Sequence, residues 1–135
     1  MEAARNAFPA WSKKSQTERS AIMMRIAQAI REHAQELGRL DVLEHGTPIR
    51  DAIPSVIFSA ERIEYCSQVA RGFMGAVQPI KSNVLFYLQR EPIGACSLII
   101  PWNVPLRMIA SKLGTALTLG TSPPEIFSFF LMKHM

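Results

Sequence analysis

Residues 91–119, EPIGACSLIIPWNVPLRMIASKLGTALTL, constrain the fold more than any other stretch of the chain. The near-unbroken apolar run over 95–100 is too short for a bilayer span, ends in isoleucines and is bounded by Pro92 and Pro101. Such a run fits a central parallel strand covered on both faces. Past it, Pro101, Trp102, Asn103 and Pro105 make a sharp turn. Leu106, Ile109, Ala110, Leu113, Ala116 and Leu117 then recur at helical spacing, with Arg107 and Lys112 on other faces. The unit reads as strand, turn, helix. Ligands of open α/β sheets sit at the carboxyl ends of strands, which makes the turn the candidate site. Residue type leaves Asn103 two readings: a helix N-cap ahead of Pro105, or a carboxamide NH2 aimed at an oxygen that gains negative charge. Trp102 is likewise core or ligand wall.

Upstream, the pattern is helical. Residues 3–11 form a first helical segment, with Trp11 as its anchor to the core. Ser15 and Glu18 match a capping box, and the helix that follows buries Ile22, Met23, Ile26, Ile30 and Leu37 while Arg19, Arg25, Arg31, Glu32 and Glu36 take the wet faces. Met23 and Met24 are gap-filling core. After Gly38 a short segment ends at Gly46, a C-terminal glycine. Ile53, Val56, Ile57, Ala60 and Ile63 define a second long helix, in which Pro54 is tolerable only in the first turn. Glu61 and Glu64 read as a solvated face, since nothing nearby would raise either pKa. Alternation over 83–90 predicts a strand, preceded by a turn at 81–83.

Several function classes lose support. The basic residues behind the formal net charge of +4 are scattered, without a basic stripe or stacking aromatics, which argues against nucleic acid. Cys66 and Cys96 read as buried free thiols in a helix and a strand, and His33, His45 and His134 share no ligand spacing with them, so no metal site is expected. The start of the chain lacks the order of a secretory signal and no run reaches bilayer length, which points to a soluble cytoplasmic protein without a membrane role. There is no G-x-G-x-x-G, since Gly72 and Gly75 do not continue the pattern.

The run PIGACSLIIPWNVPL resembles the P-x-G-x-x-x-x-I-x-P-W-N-x-P-L signature of the aldehyde dehydrogenase family. Weaker matches precede it in the right order: A-A-R-x-A-F-x-x-W, a Glu-Arg pair, a long helix, and L-E-H-G-T-P. The resemblance implies an α/β fold, a fragment of an aldehyde dehydrogenase-like coenzyme-binding domain in which N-terminal helices precede a β segment and a strand-turn-helix unit. It implies that Ile99, Ile100, Pro101 and Trp102 line an NAD or NADP pocket. By the same resemblance, Asn103 donates a hydrogen bond to the oxygen of the thiohemiacetal formed when a catalytic cysteine attacks an aldehyde. Residues 76–90 correspond to strands that assemble oligomers, so a homo-oligomer or a full-length subunit is the expected partner.

The resemblance covers residues 3–120, and neither cysteine stands where the family keeps its nucleophile. Residues 1–120 are thus expected to form a partial coenzyme-binding domain. Residues 121–135, TSPPEIFSFFLMKHM, read as a divergent tail in which Pro123 and Pro124 block strand pairing and 126–132 is an apolar, β-prone run. With the catalytic cysteine, the glutamate base and the phosphate loop absent, the chain is expected to be inactive alone. Two alternatives stay open. One is a non-catalytic truncated subunit that associates with full-length partners; the other is an unrelated helical binding domain whose turn matches by coincidence.

Overall fold

The computed structural model describes residues 2–121 and 126–128. Its helices are α1 (Glu2–Ser12), α2 (Gln16–Glu32), α3 (Ala34–His45), α4 (Ile49–Val69) and α5 (Pro105–Thr118), with a 3-10 turn at Ala70–Gly72. The capping box opens α2 as expected. The Glu18 backbone N–H donates to Ser15 Oγ at 3.2 Å, and the Ser15 N–H donates back to Glu18 Oε2 at 2.7 Å. The Ser15 hydroxyl and backbone N–H together hold the Glu18 carboxyl below its ordinary range.

Helix α2 does not reach Leu37. It ends at Glu32, and the chain turns at His33 into α3, which runs through Gly38 and stops at Gly46 with φ 73°. Gly46 is therefore the terminating glycine, and Gly38 has another task. A Cβ there would lie 2.8 Å from Ile53 Cγ1, so α3 and α4 meet where residue 38 has no side chain. Pro54 is also displaced from expectation, standing beyond the first turn of α4. It is exposed there, as is Arg50, whose carbonyl loses its helical donor.

Helix α4 packs against α2, α3 and α5. Between them lies a core of Met23 and Ala27, Ala60 and Ile63, and Ala110, edged by Ile26, Ile30 and Leu117. Of the two methionines read as core only Met23 is; Met24 is partly exposed and accepts a hydrogen bond from Ser67 Oγ at 3.4 Å. Trp11 is an anchor as expected, its Nε1 donating to Leu117 O at 3.1 Å.

Two side chains assigned to wet faces are instead paired within the chain. Arg19 is buried, with Nε donating to Thr118 O at 3.0 Å, Nη2 to Gln16 Oε1 at 2.9 Å, and Nη1 to Lys14 O. Carbonyls in the last turn of a helix lack intrahelical donors, so this guanidinium ties the start of α2 to the end of α5. Glu64 is paired with Arg31 through both oxygens, Nη2 to Oε2 at 2.7 Å and Nη1 to Oε1. The hydrogen bond from Arg31 lowers the Glu64 pKa, and Glu61 remains exposed.

β1 (Ala76–Lys81) and β2 (Val84–Leu88) form an antiparallel hairpin with Val77 opposite Tyr87 and a register irregularity between Pro79 and Lys81. β2 falls within the strand predicted over 83–90. β1 is disguised in the sequence by Pro79, which sits at the irregularity where a missing N–H is tolerated. Every hairpin residue is exposed. β3 (Leu98–Ile100) pairs in parallel with β4 (Ile126–Ser128). Parallel pairing agrees with the sequence, but burial on both faces does not. α5 packs against β3, and Ile100 is 2% exposed whereas Ile99 is 57% exposed. The strand is also shorter than the apolar run, so Cys96 precedes it; both cysteines are free and half-buried rather than buried. The prolines expected to interrupt pairing, and residues 129–135, lie outside the described residues; strand pairing is present at 126–128. The order of helices, β segment and strand-turn-helix unit is the α/β arrangement expected.

Candidate functional site

The end of β3 and the start of α5 are joined by four residues, Pro101, Trp102, Asn103 and Val104. Two prolines shape this turn. Pro101 ends the strand by removing a ladder donor, and Pro105 takes the first helical position, where its lacking N–H costs nothing. The N-cap is Val104 (φ −148°, ψ 61°), which cannot cap through its side chain. The cap reading of Asn103 therefore does not hold. Asn103 is exposed, and its carboxamide has no hydrogen-bond partner among the described residues.

The turn faces solvent more than core. Ile99 is exposed beside the partly exposed Trp102, so two apolar side chains flank the strand end, while Ile100 is turned into the interior and offers a ligand only its main chain. Pro101 is exposed. Lys112, one of the two basic residues of α5, donates from Nζ to the carbonyl of Ile99 and so braces β3 against the helix. Arg107 lies over the Phe58 ring, 4.4 Å from Cζ to the centroid. Together the sites read from the sequence are brought to one place. They offer an apolar wall, a neutral donor in Asn103, and the uncapped N-terminal N–H groups of α5, whose dipole favours negative charge.

One residue beside this turn carries no sequence signal. His45, the last residue of α3, lies ring to ring with Trp102, centroids 6.1 Å apart and planes 21° from parallel. Nothing local in L-E-H-G-T-P announces a contact with a turn so distant in the chain. Among the described residues no group of three His, Cys, Asp or Glu could hold a metal ion, and no described helix is long and apolar enough to cross a membrane.

An α/β chain with an exposed polar turn at the carboxyl end of a parallel strand has that turn where open sheets take their ligands. Its particular family follows from its relatives. The family model described as "Aldehyde dehydrogenase family" matches residues 1–122. Betaine aldehyde dehydrogenase of Vibrio vulnificus is 37% identical over 123 residues, which are 90% of this chain and 25% of that protein. The structure of PnpE in complex with nicotinamide adenine dinucleotide superposes with a TM-score of 0.86 at 38% identity, over 90% of this chain and 25% of that one. An E. coli NADP dependent enzyme gives a TM-score of 0.87 at 32% identity, over 90% and 26%. The chain belongs to the aldehyde dehydrogenase family, and it spans about a quarter of the length of these relatives.

Proposed function

We propose that this chain supplies the carbonyl-oxygen donor and one wall of the coenzyme pocket of an NAD(P)-dependent aldehyde dehydrogenase. The observation that carries the reading is an exposed, unpartnered Asn103 directly after a parallel strand whose end is flanked by the apolar Ile99 and Trp102. A nicotinamide ring needs apolar surface of this kind, and Pro101 with the main chain of Ile100 completes the wall. When bound, the coenzyme takes up hydride from the substrate. Asn103 donates a hydrogen bond to the aldehyde oxygen as negative charge grows on it. A carboxamide does this without gaining or losing a proton, and the nearby N-terminus of α5 carries positive partial charge.

Residues 1–120 are a partial coenzyme-binding domain in this reading, 76–90 its assembly strands and 121–135 a divergent tail. Neither Cys66 nor Cys96 fills the nucleophile's place, so the 135 residues do not turn over substrate alone. The test is a chimera in which residues 2–121 replace the matching segment of the Vibrio vulnificus enzyme. Betaine aldehyde oxidation by the chimera should fall about 10²- to 10³-fold in kcat on Asn103→Ala. An unchanged kcat would remove the donor role.

A second reading is favoured by the hairpin, whose Val77, Leu85 and Tyr87 stand uncovered. Here the chain is a non-catalytic subunit that adds β1 and β2 to longer members of the family. Co-purification with such a member, lost on Leu85→Lys, supports it; a chain that sediments alone in their presence removes it.

A further inference from the structure

We propose that His45 is a positioning residue for the Pro101, Trp102 and Asn103 turn, holding it through the ring of Trp102; as a role in the reaction, this rests on the reading of Asn103 given above. The turn has little to fix it from within. Asn103 lacks a described partner, Val104 caps α5 without a side-chain bond, and Trp102 is 44% exposed. His45 is held far more firmly. Its side chain is 5% exposed, and Nδ1 lies 3.2 Å from Asp41 Oδ1 on the preceding turn of α3 without a hydrogen bond between them. The backbone after it is pinned as well, since the Gly46 N–H donates to Val42 O at 2.9 Å and Gly46 ends the helix in the left-handed conformation.

A buried ring at a fixed helix end, stacked on a partly exposed indole, transmits the position of α3 to the turn. Metal binding does not account for it, because no third ligand joins His45 and Asp41 among the described residues. Ordinary core packing does not account for it either, because its partner is not core.

The test reads the stack directly, without catalysis. The sequence has two tryptophans, so Trp11→Phe leaves Trp102 as the single indole. In that background, acrylamide quenching of Trp102 is compared for the parent, His45→Ala and His45→Phe, with far-ultraviolet circular dichroism to confirm the fold. The quenching constant should rise about twofold or more in His45→Ala, within the range an aromatic pair supplies, and return to the parental value in His45→Phe. Equal quenching in all three, or failure of phenylalanine to restore it, overturns the proposal. Should alanine unfold the chain, His45→Leu against His45→Phe makes the same comparison of an apolar side chain with and without a ring. In the chimera, His45→Ala should lower kcat more than it changes KM for the aldehyde, again with rescue by phenylalanine. A chimera in which Asn103→Ala leaves kcat intact while the quenching contrast persists would sink the Asn103 reading and leave the stack standing.

Discussion

The helices and the strands of this chain are built to different standards of closure. Helices α2, α4 and α5 supply their own interior, with Met23, Ala27, Ala60 and Ala110 fully buried and Ile63 1% exposed. The β1–β2 hairpin has no interior at all, and β3 covers only the face that carries Ile100. The contrast separates what stabilises the chain from what it presents. A side chain inside the helical frame is charged the full cost of its cavity, whereas one on the hairpin or the turn can change with little effect on folding.

The sharpest attempt to break that division is Ile63→Ala. Burial at this position should make the substitution cost about 2–5 kcal/mol, read as a lowered urea midpoint. A midpoint within error of the parent would mean that the helices do not share one core. Gly38→Ala comes next. Its new methyl meets Ile53 Cγ1 at 2.8 Å, and the overpacking should cost about 1–3 kcal/mol by the same titration, unless α3 shifts away from α4.

A smaller effect belongs to the Arg31 and Glu64 pair, which bridges α2 and α4 near the surface. The folded Glu64 pKa lies below its unfolded value because Arg31 hydrogen-bonds the carboxylate. Its stabilisation is therefore fully present above the ordinary carboxylate range and is lost as pH falls through the lowered pKa. Urea midpoints of the parent and Glu64→Gln should differ at neutral pH and converge in acid. A difference that persists at low pH would mean that packing, not charge, holds the pair. Smallest of all should be Leu85→Lys on the hairpin, within about 0.5 kcal/mol of the parent in urea. A larger loss would show that this exposed residue already packs on something in the free chain.

Much of the fold was legible because short-range chemistry decided it. Ser15 with Glu18, and Gly46, each encode a helix end through contacts within a few residues of the chain. What escaped was set by distant neighbours. Arg19 reads as a wet residue until the open carbonyls of α5 are placed beside it, and Glu64 reads as solvated until Arg31 faces it. Gly38 looks like a stop until α4 passes close by. The candidate site rests on a different signal, the long, ordered family resemblance carried by the Pro-Trp-Asn turn. That resemblance named Asn103, Trp102, Pro101, Ile100 and Ile99, but it said nothing of His45, whose contact depends on how α3 lies across the turn.

The decisive measurement places Asn103→Ala in both regions' terms at once, with a urea titration of this chain and turnover of the chimera. A carboxamide that is exposed and without a described partner should leave the midpoint unchanged, while kcat drops about 10²- to 10³-fold with the coenzyme KM preserved. A lowered midpoint together with undiminished turnover would make Asn103 a structural residue of the turn and contradict its assignment as the donor.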